Sequence, residues 1–140
     1  MKPTVAFFTL LESEVINWVL DYAPAGWAIH THSLSIPDNE KINILNYSDF
    51  LLLFPEEISN RVLSTAPHLK LIQLLSAGYD LVDINKCVEL GIPVANNGGT
   101  NAIDVAEYAI TLILSFYRHI IEQDRLGRVG NWDFTCRLLL

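Results

Sequence analysis

The chain has 140 residues, 51% of them hydrophobic, with a formal charge of −7, which suffices for one buried core without disulfides or a structural metal. The acidic balance and the absence of any Lys/Arg run exclude an electrostatic grip on nucleic acid or anionic lipid. Residues 49–55 and 109–121, the longest apolar stretches, are too short or too interrupted to cross a bilayer, which takes about 20 apolar residues.

In chain order, Lys2-Pro3 leads at once into Val5-Ala6-Phe7-Phe8. No extended apolar h-region precedes them, so a secretory signal is not expected and a cytoplasmic location is. Residues 4–10 form the first of five apolar, β-branched or aromatic bursts; the others are 27–32, 49–54, 69–74 and 92–95, and all read as strands. Between them, 13–22, 37–45, 59–66 and 83–90 read as helices. Their apolar residues return at three and four, as in Val15, Trp18, Val19, Tyr22 and in Val62, Leu63, Ala66. Strands alternating with helices close a sheet through crossovers, which makes the sheet parallel. The expected fold is α/β: a flavodoxin-like, doubly wound, five-stranded parallel sheet followed by a long C-terminal apolar helix. The continuous runs 50–54 and 71–75 predict central strands buried on both faces.

The last helix opens at Thr100-Asn101, where a capping side chain is expected, with Asp104 in its first turn. Some twenty helix-compatible residues follow. Ile110, Leu112, Ile113, Leu114, Phe116, Tyr117, Ile120 and Ile121 occupy most of its circumference, which implies burial on several sides. Beyond Gln123 the pattern decays through Gly127 and Gly130 into a loop around Asn131-Trp132-Asp133. The chain then ends on Leu138-Leu139-Leu140, which reads as the start of a further element or as a frayed end. Cys87 and Cys136 lack C-x-x-C or His spacing and read as buried or idle thiols, and no metal site is expected.

The segment Leu69-Lys70-Leu71-Ile72-Gln73-Leu74-Leu75-Ser76-Ala77-Gly78-Tyr79-Asp80-Leu81-Val82-Asp83 is a strand, a small-residue turn and a helix entry. Ser76, Ala77 and Gly78 are small enough to bring backbone N–H groups close to an anion. About twenty residues on come Gly91-Ile92-Pro93-Val94-Ala95-Asn96-Asn97-Gly98-Gly99-Thr100-Asn101-Ala102 and Asp104-Val105-Ala106-Glu107-Tyr108-Ala109. These two motifs, in this order, resemble the D-isomer-specific 2-hydroxyacid dehydrogenases: the substrate-binding domain, then the crossing into the hinge helix. Arg118 and Gly130-Asn131-Trp132 also fall where such sequences place an Arg and a G-x-W loop. The resemblance implies a domain boundary near residue 100, with 1–100 binding substrate and 101–140 a hinge and tail leading toward a nucleotide-binding domain.

It further implies that Ser76, Ala77 and Gly78 cradle the carboxylate of a small 2-hydroxy or 2-keto acid. Tyr79 would shape the pocket and Phe54 would face the variable group. Asn101 and Val105 would lie on the nicotinamide side of the cleft. Each has a plainer reading: a turn for 76–78, strand-end core for Phe54, a helix cap for Asn101, packing for Val105. NAD or NADP is the cofactor the resemblance implies, yet no G-x-G-x-x-G turn occurs in the sequence, and the family's catalytic Arg, Glu and His lie past the stretch that matches. His30 and His32 fall in a strand, His68 in a turn and His119 along the last helix, none adjacent in sequence to the cradle. The isolated chain is therefore expected to hold no cofactor, to contain no catalytic residue and to be inactive.

Two functions stay open at this point: the N-terminal substrate-binding portion of such a dehydrogenase, or a non-catalytic binding or oligomerisation module derived from the fold. Either predicts a homo-oligomer through residues 103–121, since a small sheet domain cannot wall so apolar a helix. A phosphoreceiver of similar fold is disfavoured, because Glu12 and Glu14 near the first strand's end read as a helix opening.

Overall fold

The computed structural model describes residues 2–55 and 57–132. It contains two compact units, Met1–Gly98 and Gly99–Leu140. In the first unit the elements run β1 (Thr4–Thr9), α1 (Ser13–Leu20), β2 (Ala28–Ser33), α2 (Asp38–Leu45), β3 (Phe50–Phe54), α3 (Asn60–Leu63), β4 (Leu71–Leu74), α4 (Ile84–Leu90) and β5 (Val94–Ala95). All pairings are parallel and the strand order is β2-β1-β3-β4-β5. The expected α/β sheet is the one observed, with ends shifted by one or two residues at most strands.

The register explains where the core lies. Phe8 sits opposite His32 and Leu53, and Leu53 sits opposite Leu74. Side chains alternate along a strand, so Ala6, Phe8, Leu51, Leu53, Ile72 and Leu74 share one face. All six belong to the core cluster, with Leu45 of α2, Val62 and Leu63 of α3 and Cys87 of α4. Chain order supplies the reason. After β2 the chain returns past β1 to β3 and continues in one direction, so right-handed crossovers put α2, α3 and α4 on one side and α1 on the other.

One expectation needs correction. The runs in β3 and β4 are continuous in sequence, but burial alternates along both: Leu51, Leu53, Ile72 and Leu74 are buried, while Phe50, Leu52, Phe54, Leu71 and Gln73 are half-buried. Within this unit α1 is the only helix on that second side, and none of its own residues is fully buried.

The amino ends of three strands meet at Asp49. Its carboxylate accepts from the Thr4 N–H at 2.9 Å and from Lys70 Nζ at 2.7 Å, while its own main chain bonds Thr4 and Lys70 at 2.8 Å each. Trp27 stacks on Phe50 at 5.1 Å beside it, and Lys70 Nζ lies 5.9 Å from the same ring. The Lys70 ammonium, then the Thr4 N–H, hold the Asp49 carboxyl below its usual value of 3.8. Asp83, the N-cap of α4, is also held low, first by the Lys86 N–H and then by the Asn60 amide.

A carboxyl depressed by folding adds stability that is complete above its unfolded value and is lost as pH falls through its folded value, because the unfolded chain binds the proton first. The first unit should therefore weaken on acidification below about pH 4. Asp49→Asn should flatten part of that slope in urea midpoints measured from about pH 6 down to about pH 2; an unchanged slope would mean that Asp49 does not contribute to it.

In the second unit α5 (Ala102–Tyr117) and α6 (Ile120–Arg128) replace the single long helix expected. The break is at His119, which has φ 49°, a left-handed conformation that His tolerates better than most side chains. No glycine or proline stands there, so the sequence carries no break signal. Gly127 stays helical inside α6, contrary to the expected decay after Gln123, and the turn falls at Gly130 with φ 73°. The apolar residues of α5 are exposed within the chain, Ile113 by 55% and Phe116 by 78%. Asp133, Cys136 and the terminal leucines lie outside the described residues. Among the described residues no helix is long and apolar enough to cross a membrane.

Candidate functional site

In an open parallel sheet, ligands bind beyond the carboxyl ends of the strands, where order reverses, which here is between β1 and β3. Four loops meet at that edge. The Leu10 N–H after β1 donates to Phe54 O at 3.1 Å, and the Leu75 N–H after β4 donates to Leu53 O at 3.1 Å. Phe54, half-buried at the end of β3, is followed by a cis peptide to Pro55.

Past β4 the chain bends through Leu75, Ser76 and Ala77. The loop after β5 fastens this bend. Asn97 N–H donates to Ser76 O at 2.9 Å, Asn96 Nδ2 to Ala77 O at 2.7 Å, and Asn97 Nδ2 to Leu75 O at a long 3.5 Å. Ser76 Oγ donates to Gly78 O at 3.2 Å. A trans peptide is planar with its C=O and N–H antiparallel. Carbonyls of Ser76 and Ala77 that point at the 96–97 segment thus turn the N–H groups of Ala77 and Gly78 the opposite way. Neither N–H has a hydrogen-bond partner among the described residues. Two adjacent backbone donors on one side of a small-residue bend form a concave anion-binding arrangement.

Tyr79, 54% exposed, lines a cleft of about 570 Å³ with Ile84, Cys87, Ile92, Val94 and Asn96. Its wall is mostly apolar and is built from α4 and β5. Cys87 is buried, and burial, then the Asp83 charge, pushes its thiol up, which favours the protonated form.

The histidines of the first unit are remote from the bend. His30 and His32 lie on β2, three strands from β4 and so roughly 14 Å across the sheet. Burial and then the neighbouring His30 lower the His32 pKa, which favours its neutral form. His68 Nε2 meets Leu45 O at 3.0 Å, before β4 begins. Asn101 and Val105 belong to the second unit. Asn101 is the N-cap of α5, but its side chain makes no capping bond, which corrects the expected cap. Its carbonyl accepts from the Val105 N–H at 2.9 Å.

A dinucleotide pyrophosphate needs a glycine turn between a strand and a helix, with a third glycine inside the helix. Gly98 and Gly99 lie between β5 and α5, but Ala102 opens that helix and no glycine follows within it. Gly127 and Gly130 lie in and after α6. The described residues do not fit the pyrophosphate of NAD or NADP. Among them no cluster of three metal-ligating side chains occurs.

A parallel α/β layer with a small-residue bend at its carboxyl edge, two of whose N–H groups have no partner among the described residues, is the class this unit defines. The chain belongs to the D-isomer specific 2-hydroxyacid dehydrogenase family: the model of that family's catalytic domain matches residues 5–132. A glyoxylate reductase of Thermofilum pendens is 36% identical over 99 residues, which are 69% of this chain and 29% of that protein. Glyoxylate/hydroxypyruvate reductase A of Arabidopsis thaliana is 40% identical over 72 residues, 51% of this chain and 23% of its own length. The crystal structure of a Pyrococcus horikoshii protein superposes with a TM-score of 0.73 at 27% identity, covering 99% of this chain and 40% of that one. The chain thus spans less than a third of the curated relatives it matches.

The motif over residues 91–102 assigns no role to Asn96 or Asn97. The available signal was topological: β4 and β5 are neighbours, so the loops leaving their carboxyl ends must touch.

Proposed function

We propose that this chain is the substrate-binding portion of an NAD(P)-dependent D-2-hydroxyacid dehydrogenase, which interconverts 2-hydroxy and 2-keto acids, and that the 140-residue chain alone is inactive. The observation that carries the reading is the pair of N–H groups at Ala77 and Gly78, turned together to the side away from Asn96 and Asn97. Their number and small surroundings suit the two oxygens of a carboxylate. Ser76 completes the cradle, Phe54 faces the group that varies between substrates, and Tyr79 shapes the pocket. Residues 1–100 form the substrate domain and 101–140 the hinge toward a nucleotide-binding domain. Asn101 and Val105 at the start of α5 then stand on the nicotinamide side. The reading places the protein in the cytoplasm.

Glyoxylate is the natural probe, because two of the relatives above are named for it. Titrating glyoxylate into the isotope-labelled chain should move the Ala77 and Gly78 amide signals saturably, with sodium chloride as the ionic control. Equal movement in chloride, or none at these two amides, would remove the substrate cradle from the proposal.

Self-association through residues 103–121 belongs to the same reading. Ile110, Leu112, Ile113 and Leu114 are each more than half exposed on α5, a contiguous apolar surface of the kind that a partner covers. Sedimentation should give a dimer or larger species, and Ile113→Glu should shift it toward monomer. A wild-type chain that sediments as a compact monomer contradicts this element of the proposal.

A further inference from the structure

Hydrogen bonds, more than the small size of residues 76–78, fix which way the bend presents its donors. Ala77 and Gly78 have little side chain to hold a peptide plane, and glycine in particular leaves the backbone free to rotate. A β-like continuation of β4 would alternate its carbonyls from side to side. Here the carbonyls of Ser76 and Ala77 are both taken by the segment that leaves β5, at 2.9 Å and 2.7 Å. The two bonds differ in origin. Asn97 contributes its main-chain N–H, which any residue except proline supplies. Asn96 contributes side-chain Nδ2, reaching 19 residues back along the chain to Ala77 O.

From this geometry we infer that Asn96 is a positioning residue for carboxylate recognition: its amide holds the Ala77 carbonyl and thereby aims the Gly78 N–H at the substrate. The inference rests on the proposed cradle for its purpose, while the anchoring itself is a property of the ligand-free protein. Three features select Asn. Its amide donates, which a carboxylate of the same shape does not do when ionised. Its reach is short, so the bond sets a position instead of a flexible tether. Asn96 is also exposed, so replacing it does not open the core. The neighbouring Asn97 side chain reaches Leu75 O only at 3.5 Å, too long to carry much of the hold.

The test compares Asn96→Asp, Asn96→Ala and Asn97→Ala with the wild-type chain by amide NMR. Asn96→Asp keeps the shape but sets an acceptor against the Ala77 carbonyl; Asn97→Ala keeps the main-chain bond to Ser76 and is the control. Without ligand, both Asn96 variants should shift and loosen the Ala77 and Gly78 amides, read as lowered order parameters, while signals from β1 and β3 stay in place. With glyoxylate they should bind roughly tenfold more weakly, the cost of one lost hydrogen bond to a charged site, and Asn97→Ala should stay within about twofold. In Asn96→Asp, lowering the pH until the new carboxyl is protonated should restore part of the order at Gly78, since the acid then donates again; Asn96→Ala should show no such recovery. Asn96 variants with wild-type order at Ala77 and Gly78 overturn the inference whatever the glyoxylate result. A wild-type chain that ignores glyoxylate yet loses loop order on substitution instead overturns the substrate reading and leaves the anchoring established. Loss of order and of binding in Asn97→Ala equal to that in Asn96→Ala also overturns it, because the hold would not belong to Asn96.

Discussion

Phe8→Ala should cost the first unit about 3–5 kcal/mol, the usual penalty for truncating a fully buried phenylalanine. Phe8 has no exposed surface and lies on the face shared by Leu51, Leu53 and Ile72, with its ring 5.8 Å from that of His32. It lies near the carboxyl end of β1, which is paired on both sides, so the backbone has little freedom to move inward and fill the void. A domain of this size is stable by about 5–15 kcal/mol in all, so the variant loses from about a fifth to nearly all of what holds it together. Thermal unfolding should fall by roughly 12 °C or more. Tyr47→Ala, at a side chain 84% exposed, should stay within about 0.5 kcal/mol. A Phe8→Ala chain with a wild-type melting curve would show that the core is not where the strand register puts it.

Ala77→Asp should weaken glyoxylate binding by roughly fivefold to several hundredfold, while leaving the fold intact. Ala77 is exposed, so its Cβ has room for a carboxylate. That carboxylate would stand beside the two N–H groups proposed to receive the substrate's own. Like charges about 4 Å apart repel by about 1–4 kcal/mol between bulk water and a protein surface, which sets the range at tenfold per 1.4 kcal/mol. Added salt should recover part of the loss, since an exposed charge is screened. Undiminished binding, followed by calorimetry, would move the substrate away from the bend. The variant separates recognition from stability, which a substitution at half-buried Phe54 would not do.

Strand and helix positions were legible because each is a local pattern: apolar bursts for β1 and β3, and three-and-four spacing for α1 and α3. Burial was less legible. Leu52 and Gln73 sit in apolar runs that look buried on both faces, but how far each face is covered depends on the helices that cross it, a non-local property. The end of α5 was not legible, since His119 adopts a left-handed backbone with no glycine or proline to announce it. Asn101 stands at the cap position without capping, because position and side-chain rotamer are separate choices. For the site, Ser76, Ala77 and Gly78 were singled out by the resemblance, with their small size in support. What turns their amides was not, because the Asn96 contact joins two loops brought together only when β5 pairs with β4.

On the proposed function, this chain recognises a 2-keto acid and does not itself carry the hydride chemistry. The most direct measurement adds NADH and then glyoxylate to the purified 140-residue chain, following NADH absorbance and the Ala77 and Gly78 amides in the same sample. NADH should leave the spectrum unchanged, glyoxylate should move those two amides, and the NADH absorbance should stay constant. Tight NADH binding, or steady NADH oxidation once glyoxylate is present, would contradict the proposed function.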